Sequence, residues 1–175
     1  MTKNRKKAMK FILNNSAFSL MEMIVVIAVF GILAGASLTM MGQIRYANTE
    51  RVIELIDTEL SKQQIQSMSK SEKPYIYIYP YGGAYYMRTL AVEYSEYDIN
   101  SFTADGVKLC NDGTKIYWSD NGGAEELLDG DDFIKVVYNR AGSFADATNV
   151  DTIRIEGNSS HVITLVDETG KHVVD

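Results

Sequence analysis

Cysteine is nearly absent from this chain: Cys110 stands alone among 175 residues. No intramolecular disulfide can form, so any folded part is held by its core. A lone thiol reads first as a small buried side chain and only second as a reactive or intermolecular one. Proline is almost as scarce, with Pro74 and Pro80 the only two, so nothing before residue 74 breaks a helix by removing a backbone donor. The only histidines, His161 and His172, make no zinc-ligand spacing with Cys110. A glycine-flanked serine elbow and a phosphate loop are both missing, which argues against an enzyme. Basic charge is missing from most of the chain as well. Of 17 Lys+Arg, five (Lys3, Arg5, Lys6, Lys7, Lys10) precede residue 18, leaving 12 against 23 Asp+Glu, a net −11 for residues 18–175. Such a body lacks the cations that grip nucleic acid without regard to sequence.

Apolar sequence, by contrast, is abundant near the start. From Met23 to Ile44 no residue is charged, and 22 helical residues rise about 33 Å, enough to span a hydrocarbon core. The five preceding cations stay cytoplasmic by the positive-inside rule, so the chain beyond the span faces outward. A secretory signal peptide carries a shorter apolar core and a small-residue cut site after it. Here the run is longer and leads into Gln43, Ile44 and Arg45. An uncleaved signal anchor is the remaining alternative, and it leaves Glu22 unexplained. A carboxylate just inside the apolar start costs a few kcal/mol unless it finds a partner.

Ser16-Ala17 closes the basic leader, and Phe18-Ser19-Leu20-Met21-Glu22-Met23-Ile24-Val25-Val26-Ile27-Ala28-Val29-Phe30-Gly31-Ile32-Leu33 comes next. This N-terminus resembles the class III leader of type IV prepilins and pseudopilins. The resemblance implies that a prepilin peptidase cuts between Ala17 and Phe18 and methylates the new amino group of Phe18. It implies further that Glu22 meets the Phe18 amine of a neighbouring subunit during assembly. Two unit charges 4 Å apart gain about 4 kcal/mol at an effective dielectric near 20, against about 1 in water. Desolvation opposes much of that gain, so the pair sets register more than it adds stability. Two departures from the family pattern stand out. Ala17 occupies the place where most leaders end in glycine, and the proline that many major pilins carry in the first helix is absent. Gly31 and Gly35 form a small-xxx-small pair that suits close helix approach, and also suits an ordinary tolerant helix.

Beyond Arg45, Ile44, Val52, Ile53, Leu55, Ile56, Leu60, Ile65 and Met68 fall near helical spacing, with Arg51, Glu54, Asp57, Glu59 and Lys62 opposite. One helix is expected from about Phe18 to about Ser69, ended by Ser71-Glu72-Lys73-Pro74. Tyr75-Ile76-Tyr77-Ile78-Tyr79 alternates with period two, and Gly82-Gly83 before Ala84-Tyr85-Tyr86-Met87-Arg88 predicts a hairpin. Further strands are expected at 106–110, 115–118, 133–138, 152–156 and 161–166, the last closing a terminal hairpin through Gly170 to His172-Val173-Val174. The fold class is therefore α+β, a long N-terminal helix packed on an antiparallel sheet. The expected organisation is a cleaved leader, 1–17, then a transmembrane half-helix, 18–44, an amphipathic half, 45–70, and an exported β-rich domain, 71–175. The closing hairpin is similar to that of minor pseudopilins of the type II secretion H kind.

Other candidate sites are weaker. Ser119-Asp120-Asn121-Gly122-Gly123 and Asp129-Gly130-Asp131-Asp132 are turns whose carboxylates Asp120, Asp129, Asp131 and Asp132 could ligate calcium, but their spacing is not that of an EF-hand and solvated turns account for them. Eleven tyrosines suit base stacking, yet most alternate along strands where a core or sheet face explains them. A competence-type pseudopilin would contact DNA through a local patch such as Lys108, Lys115 and Arg140. The expected function is a minor pilin or pseudopilin with no catalytic residues and no cofactor. Its partners are prepilin peptidase, other pilin subunits and, before assembly, membrane lipid. A signal-anchored surface binding module that never polymerises is the alternative.

Overall fold

A computed structural model describes residues 20–69, 73–111, 113–120, 122–157 and 159–175, without the side chains of 36–47. The chain divides into two compact units at residues 40 and 41. In the first, the described residues are the opening of helix α1, Leu20–Ser69. Glu22 lies near the start of its described part. Among the described residues no helix is long and apolar enough to cross a membrane. The expected span, 18–44, runs outside them at its first two residues and in its side chains from 36 onward.

The second unit holds the rest of α1 and nine strands: β1 Tyr75–Tyr81, β2 Ala84–Leu90, β3 Val107–Asn111, β4 Lys115–Ser119, β5 Glu126–Leu127, β6 Ile134–Val137, β7 Thr152–Glu156, β8 Ser160–Val166 and β9 Lys171–Val174. They form two antiparallel sheets, ordered β3-β2-β1-β6 and β5-β4-β7-β8-β9. These elements make the class α+β. Gly82 and Gly83 both take positive φ, 56° and 74°, and Tyr81 pairs with Ala84. A two-residue connection of that kind matches the twist of the strands it joins, and glycine adopts it without strain. The terminal hairpin also forms, with Gly170 at φ 65° between β8 and β9. β5 was not expected: two residues are too short to show a period, and only Tyr117 and Trp118 on β4 give them partners.

One apolar cluster joins Val52, Ile53, Ile56 and Leu60 of α1 to Ile76 and Ile78 of β1, Ile116 of β4, Ile134 and Val136 of β6, Ile153 and Ile155 of β7, and Ile163 and Leu165 of β8. Burying each such side chain is worth about 1.5–3 kcal/mol, enough to hold a domain in which Cys110 forms no disulfide. The expected apolar stripe is corrected at its end. Ile65 and Met68 are 68% and 59% exposed, and the buried row after Leu60 continues instead through Gln63 and Ser67. Polar side chains there find acceptors both on other segments and on the helix itself. Gln64 Nε2 donates to the carbonyls of Gly142 (2.8 Å) and Gly170 (3.2 Å), and Gln63 Nε2 donates to Glu59 (2.7 Å). Buried acceptors left without donors would each cost about 1–3 kcal/mol.

Tyr77 and Tyr79 of β1 are buried too. A second cluster of Tyr77, Tyr79 and Phe102, flanked by Tyr75, Tyr86, Tyr94, Tyr97 and Phe133, covers the other face of that strand. The connection between β2 and β3 supplies Phe102, whose ring lies 4.7 Å from Tyr79 and 5.2 Å from Tyr77 between centroids. Period two in β1 therefore separates two cores and does not mark an exposed face. The free edge of β6 is closed by the chain immediately after it, through Ala145 N–H to Val137, Asn149 N–H to Lys135, and Val137 N–H to Thr148 Oγ1. An edge so covered offers no template to another strand.

Candidate functional site

Glu22 is an exposed residue on the first turn of α1. Ala17 and Phe18, the residues flanking the expected cleavage bond, lie outside the described residues. Around Glu22 the helix is an uncovered apolar rod: Leu20 is 78% and Ile32 73% exposed, and Met23, Ile24, Val25, Ile27, Phe30 and Leu33 are all exposed as well. A Cβ added at Gly31 or Gly35 would meet nothing within 4 Å. Contiguous exposed apolar surface of this extent is unusual on a soluble monomer. The unit thus supplies an apolar helix with one carboxylate near its start. The family described as the prokaryotic N-terminal methylation motif matches residues 12–38. The chain carries a type IV prepilin-like leader. Ala17, Phe18 and Glu22 all fall inside the segment matched by this prepilin-like leader, whereas the β-rich unit lies beyond it. No curated protein and no solved structure matches the chain.

The remaining candidates are scattered over the second unit. Asp120 lines one cavity with Asp146, Asp151 and Asp167, while Asp129 and Asp131 line another; Asp132 is exposed beside them and gives its N–H to the Asp129 carbonyl. Among the described residues, no group of three or more His, Cys, Asp or Glu side chains is arranged to hold a metal ion. The basic candidates are likewise not brought together. Lys108 lines a cleft with Arg51, Lys115 lines the one that holds Asp129 and Asp131, and exposed Arg140 lies in the turn after β6.

Both histidines of the terminal hairpin meet carboxylates of α1. His172 Nε2 is 3.0 Å from Asp57 Oδ1 and 3.4 Å from Ser61 Oγ, and His161 Nε2 is 3.2 Å from Glu50 Oε1, a distance for an ion pair without hydrogen-bond alignment. Asp57 thus makes a contact while its side chain stays about half exposed. Ser, His and Asp come together here, but the serine and the aspartate share one ring nitrogen and Nδ1 of His172 has no partner. A nucleophile relay needs them on opposite nitrogens, so the group fastens the hairpin to the helix.

Sequence reasoning did not gather the cleft between the β1–β2 hairpin and the β5–β6 connection. It encloses about 400 Å³ and is lined by Pro80, Tyr81, Tyr97, Ile99, Lys115, Leu127, Asp129 and Asp131, among others. Three separate connections build it, and no local pattern signals their meeting.

Proposed function

We propose that this protein is a pilin or pseudopilin subunit, an exported structural protein stored in the membrane and then built into a filament. The single observation that carries it is the methylation motif over residues 12–38. Its support from physics is the bare apolar helix face from Leu20 onward, which water does not favour and which lipid or neighbouring helices would cover. In this proposal prepilin peptidase cleaves between Ala17 and Phe18, Phe18 receives the methyl group, and residues from Phe18 to about Gly42 sit first in lipid and then among other subunits. Glu22 lies four residues after the new amine, a spacing that suits one helical face, and accepts the amine of a neighbouring subunit. The residues act by assembly and not by catalysis.

Mass spectrometry of the protein purified from its host membranes tests this directly. A new N-terminus at Phe18, heavier by one methyl group, is the expected result. An intact Met1, or a cut near residue 45, would mean a plain anchor or a secretory leader. Glu22→Ala should leave cleavage largely intact and lower incorporation into filaments, and normal incorporation would remove Glu22 from the assembly step.

A further inference from the structure

The cleft at the tip of the β1–β2 hairpin has the composition of a ligand site, and it lies outside everything the leader explains. Its volume, about 400 Å³, falls in the range of small-molecule sites, which pair an apolar and aromatic floor with a few convergent polar groups. Tyr81 and Ile99 are 38% and 70% exposed on it. The rings are nevertheless fixed. Tyr97 donates its hydroxyl to the Pro80 carbonyl at 3.1 Å, and Tyr81 stands edge-on to Tyr86, centroids 6.2 Å apart. Burial, then the negative charge of Asp131, then Tyr81 raise the Tyr97 hydroxyl above its ordinary pKa, so this rim stays protonated at neutral pH.

The polar groups are Lys115, Asp129 and Asp131. Among the described residues none of the three makes an ion pair or a side-chain hydrogen bond, and the Tyr81 hydroxyl makes no hydrogen bond. One strong donor and two strong acceptors therefore line the same cleft without satisfying each other. The Lys115 ammonium opposes a metal ion there, and the two carboxylates oppose a phosphate chain. A neutral ligand with hydroxyls that both donate and accept, and with an apolar C–H face to lie on an exposed ring, meets all of these features at once.

We propose that this cleft binds a saccharide, with a sugar ring against Tyr81 and Ile99 and its hydroxyls shared between Lys115 and the carboxylates of Asp129 and Asp131. Binding at this site does not depend on processing or assembly. The test uses the full-length protein in detergent micelles and saturation-transfer NMR with two probes, maltotriose and triacetylchitotriose. Ring C–H protons of at least one probe should receive saturation. Asp131→Asn and Tyr81→Ala should each weaken that binding about tenfold, Tyr81→Phe should retain most of it, and Lys108→Ala, in a different cleft, should leave it unchanged. An unaltered circular dichroism spectrum certifies each variant as folded. The proposal is overturned if neither trisaccharide receives saturation, if the Asp131 and Tyr81 variants bind as the parent does, or if only a trilysine peptide binds and Asp131→Asn abolishes it.

Discussion

Glu59 gathers three donors at once: Lys62 Nζ at 2.9 Å, Gln63 Nε2 at 2.7 Å and Thr89 Oγ1 at 3.0 Å. Burial pushes its carboxyl up, but the hydrogen bonds from Gln63, Lys62 and Thr89 outweigh that and hold it below the ordinary glutamate value of 4.5. A carboxyl lowered in the folded state stabilises the fold above its unfolded pKa, and that contribution is lost as pH falls through the folded value. Glu59→Gln should therefore lower stability at pH 7 and flatten the loss of stability on acidification below about pH 4.5, as read by urea unfolding across pH. An unchanged acid slope would exclude Glu59 from it. Gly170 carries a different constraint. Its φ is 65°, and a Cβ there would fall onto the Gly142 carbonyl, which also accepts from Gln64. Gly170→Ala should cost more than about 1 kcal/mol in thermal unfolding, through strain and displacement of that turn.

At the scale of elements, α1 changes character along its length. Apolar residues face the core to Leu60; beyond it Gln64 answers the carbonyls of Gly142 and Gly170, while Gln63 and Ser67 donate chiefly within the helix, to Glu59 and to the Gln64 carbonyl. The start of this row was legible from the spacing of Val52, Ile56 and Leu60. Its end was not, because Ile65 and Met68 also fit helical spacing and only the position of the Gly142 and Gly170 carbonyls decides which side is buried. β1 shows the same limit. Its alternation was evident, as was the Gly82-Gly83 turn, but a polar-looking connection some distance on supplies the Phe102 that packs on Tyr77 and Tyr79. Phe102→Ala should lose about 3–5 kcal/mol and most of the near-ultraviolet dichroism of the cluster. The Tyr77 hydroxyl, raised to about 12 mainly by burial, should stay protonated through pH 10 in the native protein and titrate normally only on unfolding, which ultraviolet absorbance reads directly. Of the candidate site, Glu22 on its helix was legible; the hairpin-tip cleft was not, since its lining comes from residues 80–85, 97–99, 115 and 127–131.

Over the whole molecule, two units carry two kinds of surface. The first exposes an apolar helix, and the second encloses its own apolar side chains in two cores. A chain beginning at Arg45 should accordingly run as a soluble monomer without detergent and melt in one cooperative step, whereas the full chain should need detergent or lipid. Light scattering after size-exclusion chromatography separates the two outcomes. Local chemistry in the sequence was enough for the leader, the long helix, the hairpin turns and most strands, because each depends on neighbours within a few residues: a cation block, a period, a glycine with positive φ. Tertiary structure alone decided which face of α1 is buried, that both faces of β1 are covered, and that Lys115 meets Asp129 and Asp131 in one cleft. Those outcomes depend on side chains that only folding brings within reach, and no spacing along the chain encodes that meeting.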